Sequence, residues 1–152
     1  MAATTQETNT QRTARAYAAF SAGDLNTLSE FISPDCVWIV GGDNRLTGNY
    51  HGRDATFDYF GKLVEATAGT FTLSVLTINE VVPDTVIVTA HAQASARDRK
   101  YDEEIVQQLH LRNRQVIACR TFVENGHLWD ALVGRAQITL PAQGPRESVS
   151  SG

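Results

Sequence analysis

The chain has 152 residues, 42% of them apolar and 20% charged, with a formal net charge of −4. This size and composition suit a single domain with one hydrophobic core. The thirteen Lys and Arg residues form no long run, so we expect no nucleic-acid partner.

The first ten residues are polar and lack the apolar stretch of a signal peptide. No later segment approaches the roughly 20 apolar residues that a membrane span needs. We therefore expect a cytoplasmic protein without membrane contact.

Two short helices are predicted at the start of the chain. Residues 5–22 are rich in helix formers, and Gly23 follows as a stop. Asp24 is a suitable cap for a second helix, which should end before Pro34 because proline disfavours helical geometry in the residue preceding it. The predicted apolar face of this second helix comprises Leu25, Leu28, Phe31 and Ile32.

A strand, a loop and a longer helix come next. Residues 36–40 are β-branched and aromatic, which is typical of a strand. Residues 41–52 contain four glycines and predict a loop. Residues 53–68 return to helical periodicity and end at Gly69. The predicted buried stripe of this helix comprises Phe57, Phe60 and Val64.

The second half of the chain alternates as strands do. Four segments separated by short polar turns predict a meander of antiparallel hairpins: residues 71–79, 85–96, 101–112 and 116–124. A short helix is expected at residues 127–133. We expect one α+β domain over residues 1–134, followed by a C-terminal extension, residues 135–152, with a disordered end.

Several segments together resemble the SnoaL-like proteins of the nuclear transport factor 2-like superfamily. They are AYAAFSAGDL at residues 16–25, PDCVW at 34–38, LTGNYHGRDA at 46–55 and WDAL at 129–132. The resemblance spans roughly residues 12–134. It implies a cone-shaped fold, in which a curled antiparallel sheet with three helices on its concave side encloses an apolar cavity. It also implies a homodimer formed through the convex face of the sheet.

The residues that carry chemistry in this superfamily are replaced here. The resemblance puts Val40 where ketosteroid isomerase-like members have a carboxylate base, and Ala16 rather than Tyr17 where they have an oxyanion tyrosine. It puts Gln107 and Thr121 where SnoaL-like polyketide cyclases use a His and an Asp. The Asp of limonene epoxide hydrolase-like members also matches Thr121. The acid/base pairs of all three groups are therefore substituted.

Three residues are candidates for weak acid/base or hydrogen-bonding chemistry: His91, Tyr17 and Gln107. His91 lies on the polar face of an alternating strand, and that face points either into the cavity or towards solvent or a dimer partner. Gln107 sits among aliphatic residues, where its amide either orients a ligand or makes a structural hydrogen bond. Tyr17 is one residue from the matching position but can still line the cavity.

A second set of residues is predicted to contact the substrate: Trp38, Tyr50, Phe57, Phe60, Cys119 and Thr121. For the aromatic members, core packing is the alternative. Cys36 and Cys119 lie outside any CxxC or Cys/His spacing and are expected to be buried free thiols. The four histidines show no metal-ligand spacing, so we expect neither a metal nor a cofactor.

These observations favour an enzyme that binds a hydrophobic, ring-forming molecule, such as a polyketide or terpenoid intermediate. Such an enzyme would promote cyclisation or isomerisation by orienting its substrate and giving weak acid/base help. A non-catalytic module that stores or delivers an apolar ligand is one alternative. A dimeric interaction protein with a vestigial pocket is another, and it predicts a cavity smaller than the roughly 300 Å³ that ligand sites need.

Overall fold

A computed structural model describes residues 6–134 of the chain. The extension predicted for residues 135–152 lies outside the described residues. The helices are α1 Asn9–Ala22, α2 Leu25–Phe31, α3 Arg53–Ala66 and α4 Gly126–Val133. The strands are β1 Ile32–Val40, β2 Gly48–His51, β3 Thr72–Val82, β4 Thr85–Ala96, β5 Arg99–Arg112 and β6 Gln115–Val123. The α+β fold expected from the sequence is confirmed.

Local signals set the limits of α1. The side chain of Thr8 accepts a hydrogen bond from the backbone N–H of Gln11, and the Gln11 side chain accepts one from the N–H of Thr8. This reciprocal cap satisfies two donors that a helix start leaves open. Gly23 ends the helix with a φ of 71°, a left-handed conformation that glycine adopts without strain.

The six strands form one curled sheet in the order β2-β1-β6-β5-β4-β3. Strands β3 to β6 are joined by tight antiparallel hairpins, as predicted. Strand β1 instead pairs parallel with β6, so the expectation of a purely antiparallel sheet is wrong. The chain between β1 and β6 is long enough to return in either direction, and hairpin geometry therefore does not constrain this pair. Strand β2 forms inside the predicted glycine-rich loop and pairs antiparallel with β1.

The helices cover one side of the sheet. Helix α3 packs on β1 and β2, α1 packs on α2 and β3, and α4 packs on β5 and β4. The fold therefore has four helices against the sheet rather than three. No helix within residues 6–134 is both long and apolar enough to cross a membrane.

Two predicted helix faces are wrong in part. In α2, Leu25 is 51% exposed, and Ile32 belongs to β1. In α3, Val64 is 48% exposed, and Phe57 is only partly buried. The buried face of α3 comprises Thr56, Tyr59, Phe60, Leu63 and Ala66. The predicted stripe and the observed buried face both fit helical spacing. The observed face is the one that packs against the sheet, and it turns Tyr59 inward.

Candidate functional site

The helices and the sheet enclose a cavity of about 480 Å³. This volume lies within the range of small-molecule sites and exceeds what a vestigial pocket would leave. Every helix and every strand except β2 contributes to its wall. Aromatic side chains form much of the wall: Tyr17, Phe20, Phe31, Trp38, Tyr59, Phe60, Phe71, Tyr101 and Trp129.

Strand β4 keeps the centre of the fold open because its inward face carries small side chains. Its buried positions are Val86, Val88, Ala90, Ala92, Ala94 and Ala96, which are at most 6% exposed. Ala92 lines the cavity. An alanine at this position fills less space than a leucine or phenylalanine, so the helices opposite cannot close the gap.

Edge-to-face aromatic contacts fix the wall nearest the first and third helices. The ring of Phe60 lies 5.2 Å from that of Phe20 and 5.2 Å from that of Trp38, both nearly perpendicular. Such arrangements match the ring quadrupoles and are worth roughly 1 kcal/mol each beyond burial. The wall is therefore preformed and does not need a ligand to order it.

One hydrogen-bonded network lies in this otherwise apolar wall. Gln107 lies directly opposite Thr121 in the β5–β6 register, and its Nε2 donates to Thr121 Oγ1 at 2.9 Å. The hydroxyl of Tyr17, on α1, donates to Gln107 Oε1. The amide of Gln107, an 8% exposed residue, is thus satisfied on both sides. We refer to Tyr17, Gln107 and Thr121 as the polar network.

Burial decides the protonation states in and beside the polar network. Loss of solvent raises the pKa of the Tyr17 phenol well above its usual value, and a nearby Cys119 thiol adds to the rise. The same loss of solvent raises the pKa of Cys119 strongly. Both groups are therefore neutral at physiological pH, and Tyr17 acts as a hydrogen-bond donor rather than as a base.

The cavity is nearly free of ionisable groups that could act as a base. Among the described residues that line it, Arg120 is the single charged one, and there is no Asp, Glu, His or Lys. Arg120 is solvent-exposed and follows Cys119 on β6, so strand alternation directs its side chain outward. The site therefore favours an uncharged ligand and offers hydrogen bonds rather than strong acid/base groups.

Five of the predicted site residues line the cavity: Tyr17, Trp38, Phe60, Gln107 and Thr121. They come from five elements, α1, β1, α3, β5 and β6. The fold therefore brings together the amide, the hydroxyls and part of the aromatic wall that the sequence predicted separately.

His91 does not line the cavity, and the expectation that it serves there as an acid/base is corrected. It lies on the outer face of the sheet, where Nε2 contacts Asp102 Oδ1 on the neighbouring strand. Its side chain is 38% exposed. The apolar face of β4 covers the core, so strand alternation directs the polar face outward.

Three further predicted contacts also fall outside the cavity wall. Tyr50 is partly buried and donates to the backbone oxygen of Leu46 at 2.6 Å. Phe57 packs on Phe60 with ring centres 6.0 Å apart, behind the wall. Cys119 is fully buried as a free thiol. These side chains support the wall rather than form it.

The sequence-based interpretation missed several wall residues, of which Tyr59, Tyr101 and Trp129 carry polar atoms. Tyr101 donates from its hydroxyl to the backbone oxygen of Glu124, and its ring lies 5.1 Å from that of Trp129. Tyr59 was overlooked because the stripe through Phe57 and Val64 fits α3 equally well. The aromatic character of residues 57–60 was the available signal.

The loop after β1 fastens α4 over one end of the cavity. Asn44 is buried and its Nδ2 donates to Asp130 Oδ1 at 2.7 Å. Arg45 Nε donates to the backbone oxygen of Val133 at 2.9 Å. Gly42 has a φ of 92°, and a Cβ there would lie 2.7 Å from Asp130 Oδ1, so only glycine fits. The loop thereby holds α4, which carries Trp129, in place.

The residues described do not suggest a metal centre. Within residues 6–134, no three His, Cys, Asp or Glu side chains come close enough together to hold an ion. The polar network offers an amide and two hydroxyls, which are donor groups for a neutral organic ligand.

Comparison with known proteins agrees with this architecture. Residues 13–119 match the family described as the SnoaL-like domain. The chain is 32% identical over 92 residues to the uncharacterized protein Rv0034 of Mycobacterium tuberculosis, covering 59% of this chain and 68% of that protein.

Two solved structures illustrate the likeness of the fold. Bal32a, from a soil-derived mobile gene cassette, superposes with a TM-score of 0.78 at 30% identity, over 82% of this chain and 95% of that one. IdmH, a candidate polyketide cyclase of Streptomyces antibioticus, superposes with a TM-score of 0.66 at 20% identity. That match covers 82% of this chain and 97% of IdmH.

Proposed function

The chain belongs to the SnoaL-like domain family, and we propose that it binds an uncharged, ring-forming small molecule and promotes its cyclisation or isomerisation. The observation that carries this proposal is the polar network inside an otherwise apolar cavity. An apolar wall with a few convergent polar groups is the usual form of a small-molecule site. Polyketide-like or terpenoid-like intermediates match this chemistry.

The proposed mechanism rests on orientation and on hydrogen bonds to a substrate carbonyl. With Tyr17 donating to Gln107 and Gln107 donating to Thr121, the hydroxyl hydrogen of Thr121 is available to a substrate oxygen. Such a bond stabilises negative charge that develops on a carbonyl during enolisation. Since no wall residue within 6–134 is a base, the carbon-bound proton leaves to water or to another group of the substrate.

Holding a flexible chain in a ring-forming conformation is the larger part of the proposed catalysis. Fixing the reacting carbons near each other can lower a barrier by several kcal/mol without any acid/base group. The preformed aromatic wall around Phe60 suits this role because it excludes water and restricts the conformations of an apolar chain.

A binding module without catalysis is the second candidate function. The observation that favours it is the replacement of the ionisable groups by Gln107 and Thr121, which leaves a neutral cavity. In this case the polar network selects and orients a stored or delivered ligand. The vestigial-pocket alternative is disfavoured because the cavity exceeds the lower limit for ligand sites.

We also propose that two copies associate through the outer face of the sheet. This face exposes large apolar side chains, among them Leu76 and Phe122, which are 52% and 51% exposed. Pairing of these faces would remove them from water and leave both cavities intact.

The proposal is tested with 2,6-heptanedione, which closes to 3-methyl-2-cyclohexenone with loss of water. Formation of the conjugated ketone is followed by ultraviolet absorbance, with wild type, Gln107→Leu and Gln108→Leu. An enzyme accelerates ring closure, and Gln107→Leu loses most of this acceleration while Gln108→Leu, altered on the outer face, retains it. If the protein binds 2,6-heptanedione but no variant accelerates its ring closure, the non-catalytic module is indicated. If the protein does not bind the diketone, both functions are contradicted.

A further inference from the structure

Three buried polar atoms in the cavity wall have no hydrogen-bond partner in the described chain: the hydroxyl of Tyr59 and the indole nitrogens of Trp38 and Trp129. The first two belong to neighbouring side chains and are considered together. Tyr59 and Trp38 are each 8% exposed and both line the cavity. Neither the hydroxyl of Tyr59 nor the indole N–H of Trp38 bonds to any residue within 6–134. Buried hydroxyl and indole groups normally find a partner, so unpaired ones on two residues that line the same cavity require an explanation.

The surroundings of Tyr59 show why the protein itself does not satisfy it. Its ring packs on that of Tyr50, with centres 4.8 Å apart and planes tilted by 36°, but the Tyr50 hydroxyl is already bonded to the backbone oxygen of Leu46. The thiols nearby are neutral and poor acceptors. Burial raises the pKa of the Tyr59 phenol, so this group remains a donor.

Tyr59 and Trp38 lie on elements other than those that carry the polar network. Trp38 is on β1, and it is opposite Tyr50, whose ring packs on Tyr59 of α3. Gln107 and Thr121 lie on β5 and β6. Trp38 pairs with Cys119 across the β1–β6 ladder, two residues before Thr121. Trp38 is therefore a diagonal neighbour of Thr121, and the cavity carries a second group of donors that is not hydrogen-bonded to the polar network.

The structure assigns Tyr59 and Trp38 as a second ligand contact, which selects molecules with at least two hydrogen-bond acceptors over those with one or none. This inference rests on the proposed small-molecule function and narrows it. The class that fits is a neutral, planar or nearly planar ring system with oxygens on two of its edges, such as a diketone or a quinone. One oxygen faces the polar network, and the other faces Tyr59 and Trp38.

Anthraquinone and anthracene provide a matched pair of probes, since they share a three-ring skeleton and differ in two opposed carbonyl oxygens. Binding is measured by quenching of the intrinsic fluorescence of Trp38 and Trp129, the two tryptophans of the chain, and checked by calorimetry. The variants are Tyr59→Phe and, as a matched control, Tyr50→Phe, which removes the neighbouring phenol hydroxyl outside the wall. Circular dichroism confirms that each variant is folded.

Wild type is expected to bind anthraquinone more tightly than anthracene. Tyr59→Phe is expected to bind anthraquinone about tenfold more weakly than wild type and to bind anthracene equally well. The Tyr50→Phe control is expected to bind both probes as wild type does. Trp38→Phe provides a second test through the same comparison, with Trp129 as the remaining fluorophore. If wild type binds both probes and neither Tyr59→Phe nor Trp38→Phe changes their ratio, the second contact is wrong while the proposed function stands. If wild type binds neither probe, the proposed function itself fails.

Discussion

Gln107 faces Thr121 across the β5–β6 ladder and donates its amide hydrogen to the Thr121 hydroxyl at 2.9 Å. Tyr17 supplies the hydrogen bond on the other side of the same amide. Because an amide has a donor end and an acceptor end, it joins two hydroxyls without any charge. The fold thus keeps a hydrogen-bonding centre in an apolar cavity while avoiding the cost of a buried ion.

Gln107→Glu is expected to introduce a pH dependence that the wild type lacks. In wild type, burial raises the pKa of Tyr17, so anthraquinone affinity should be flat between about pH 6 and about pH 9. A carboxyl group at position 107 would ionise within this range because burial raises its pKa, and the resulting carboxylate repels a carbonyl oxygen. Affinity should then fall about tenfold from low to high pH, as measured by tryptophan quenching.

The control for this prediction is Gln108→Glu, which adds the same charge on the outer face of the same strand. It should keep the flat profile of wild type. An equally flat profile for Gln107→Glu would show that position 107 does not contact the ligand.

Ala92→Leu is expected to fill the cavity and to exclude ligands. Ala92 is 1% exposed and faces the cavity from the centre of β4, so a leucine there occupies space that the wild type leaves open. Anthracene affinity should fall at least about tenfold. Thermal unfolding should shift little, because overpacking by a larger side chain typically costs roughly 1–3 kcal/mol and filling a void offsets part of it.

Gln93→Leu is the matched control, since Gln93 is the exposed neighbour on the outer face of β4. It should bind anthracene as wild type does. Undiminished binding by a folded Ala92→Leu protein would place the ligand elsewhere.

Much of the fold follows from local signals in the sequence. Gly23 and Gly69 mark helix ends, and the alternation over residues 85–96 matches the limits of β4. The parallel pairing of β1 with β6 could not be predicted this way, because it depends on how a long intervening chain returns. The fold class was therefore more predictable than the pairing of one strand.

The site was predictable only where strand alternation and burial agree. Gln107 lies among aliphatic residues of β5, which indicated a buried amide, and the structure places it in the cavity wall. For His91, alternation defines two faces but does not say which is inside. The small apolar residues Ala90 and Ala92 on the opposite face decide this, because both are only 1% exposed and lie on the side of the sheet that the helices cover. Tyr59 was missed because two helical stripes fit α3 equally well.

His91→Ala is expected to leave ligand binding and any ring-closing activity unchanged. His91 contacts Asp102 on the outer face and lines no part of the cavity, so its loss removes one exposed contact between side chains. Such contacts contribute at most about 1 kcal/mol. Anthraquinone affinity and 2,6-heptanedione closure test this, and a severalfold fall in either would restore a functional role for the imidazole.

Cys36→Ala is expected to make stability less sensitive to alkaline pH. Burial raises the pKa of the Cys36 thiol from 9.0 to about 11. A group whose pKa is raised by folding stabilises the protein fully below its unfolded value and loses this contribution as pH rises through its folded value. Cys36 should therefore account for a loss of roughly 2–3 kcal/mol between about pH 9 and about pH 11.

The measurement is the free energy of unfolding in urea at pH values across this window. The variant starts from a lower stability, because a buried side chain is shortened, but it should decline less steeply with pH. Parallel declines for wild type and variant would show that Cys36 does not titrate in the folded protein.

Phe122→Glu is expected to weaken the proposed dimer without closing the cavity. Phe122 is 51% exposed, and strand alternation between Thr121 and Val123 directs its side chain away from the cavity. A carboxylate at the centre of an apolar contact between two identical faces would bring like charges together and lose buried apolar area. Sedimentation should show a shift from dimer to monomer.

Val64→Glu serves as control because Val64 is comparably exposed on α3, away from the sheet, and it should leave the dimer intact. A wild-type protein that sediments as a monomer, or a Phe122→Glu protein that remains dimeric, contradicts association through this face.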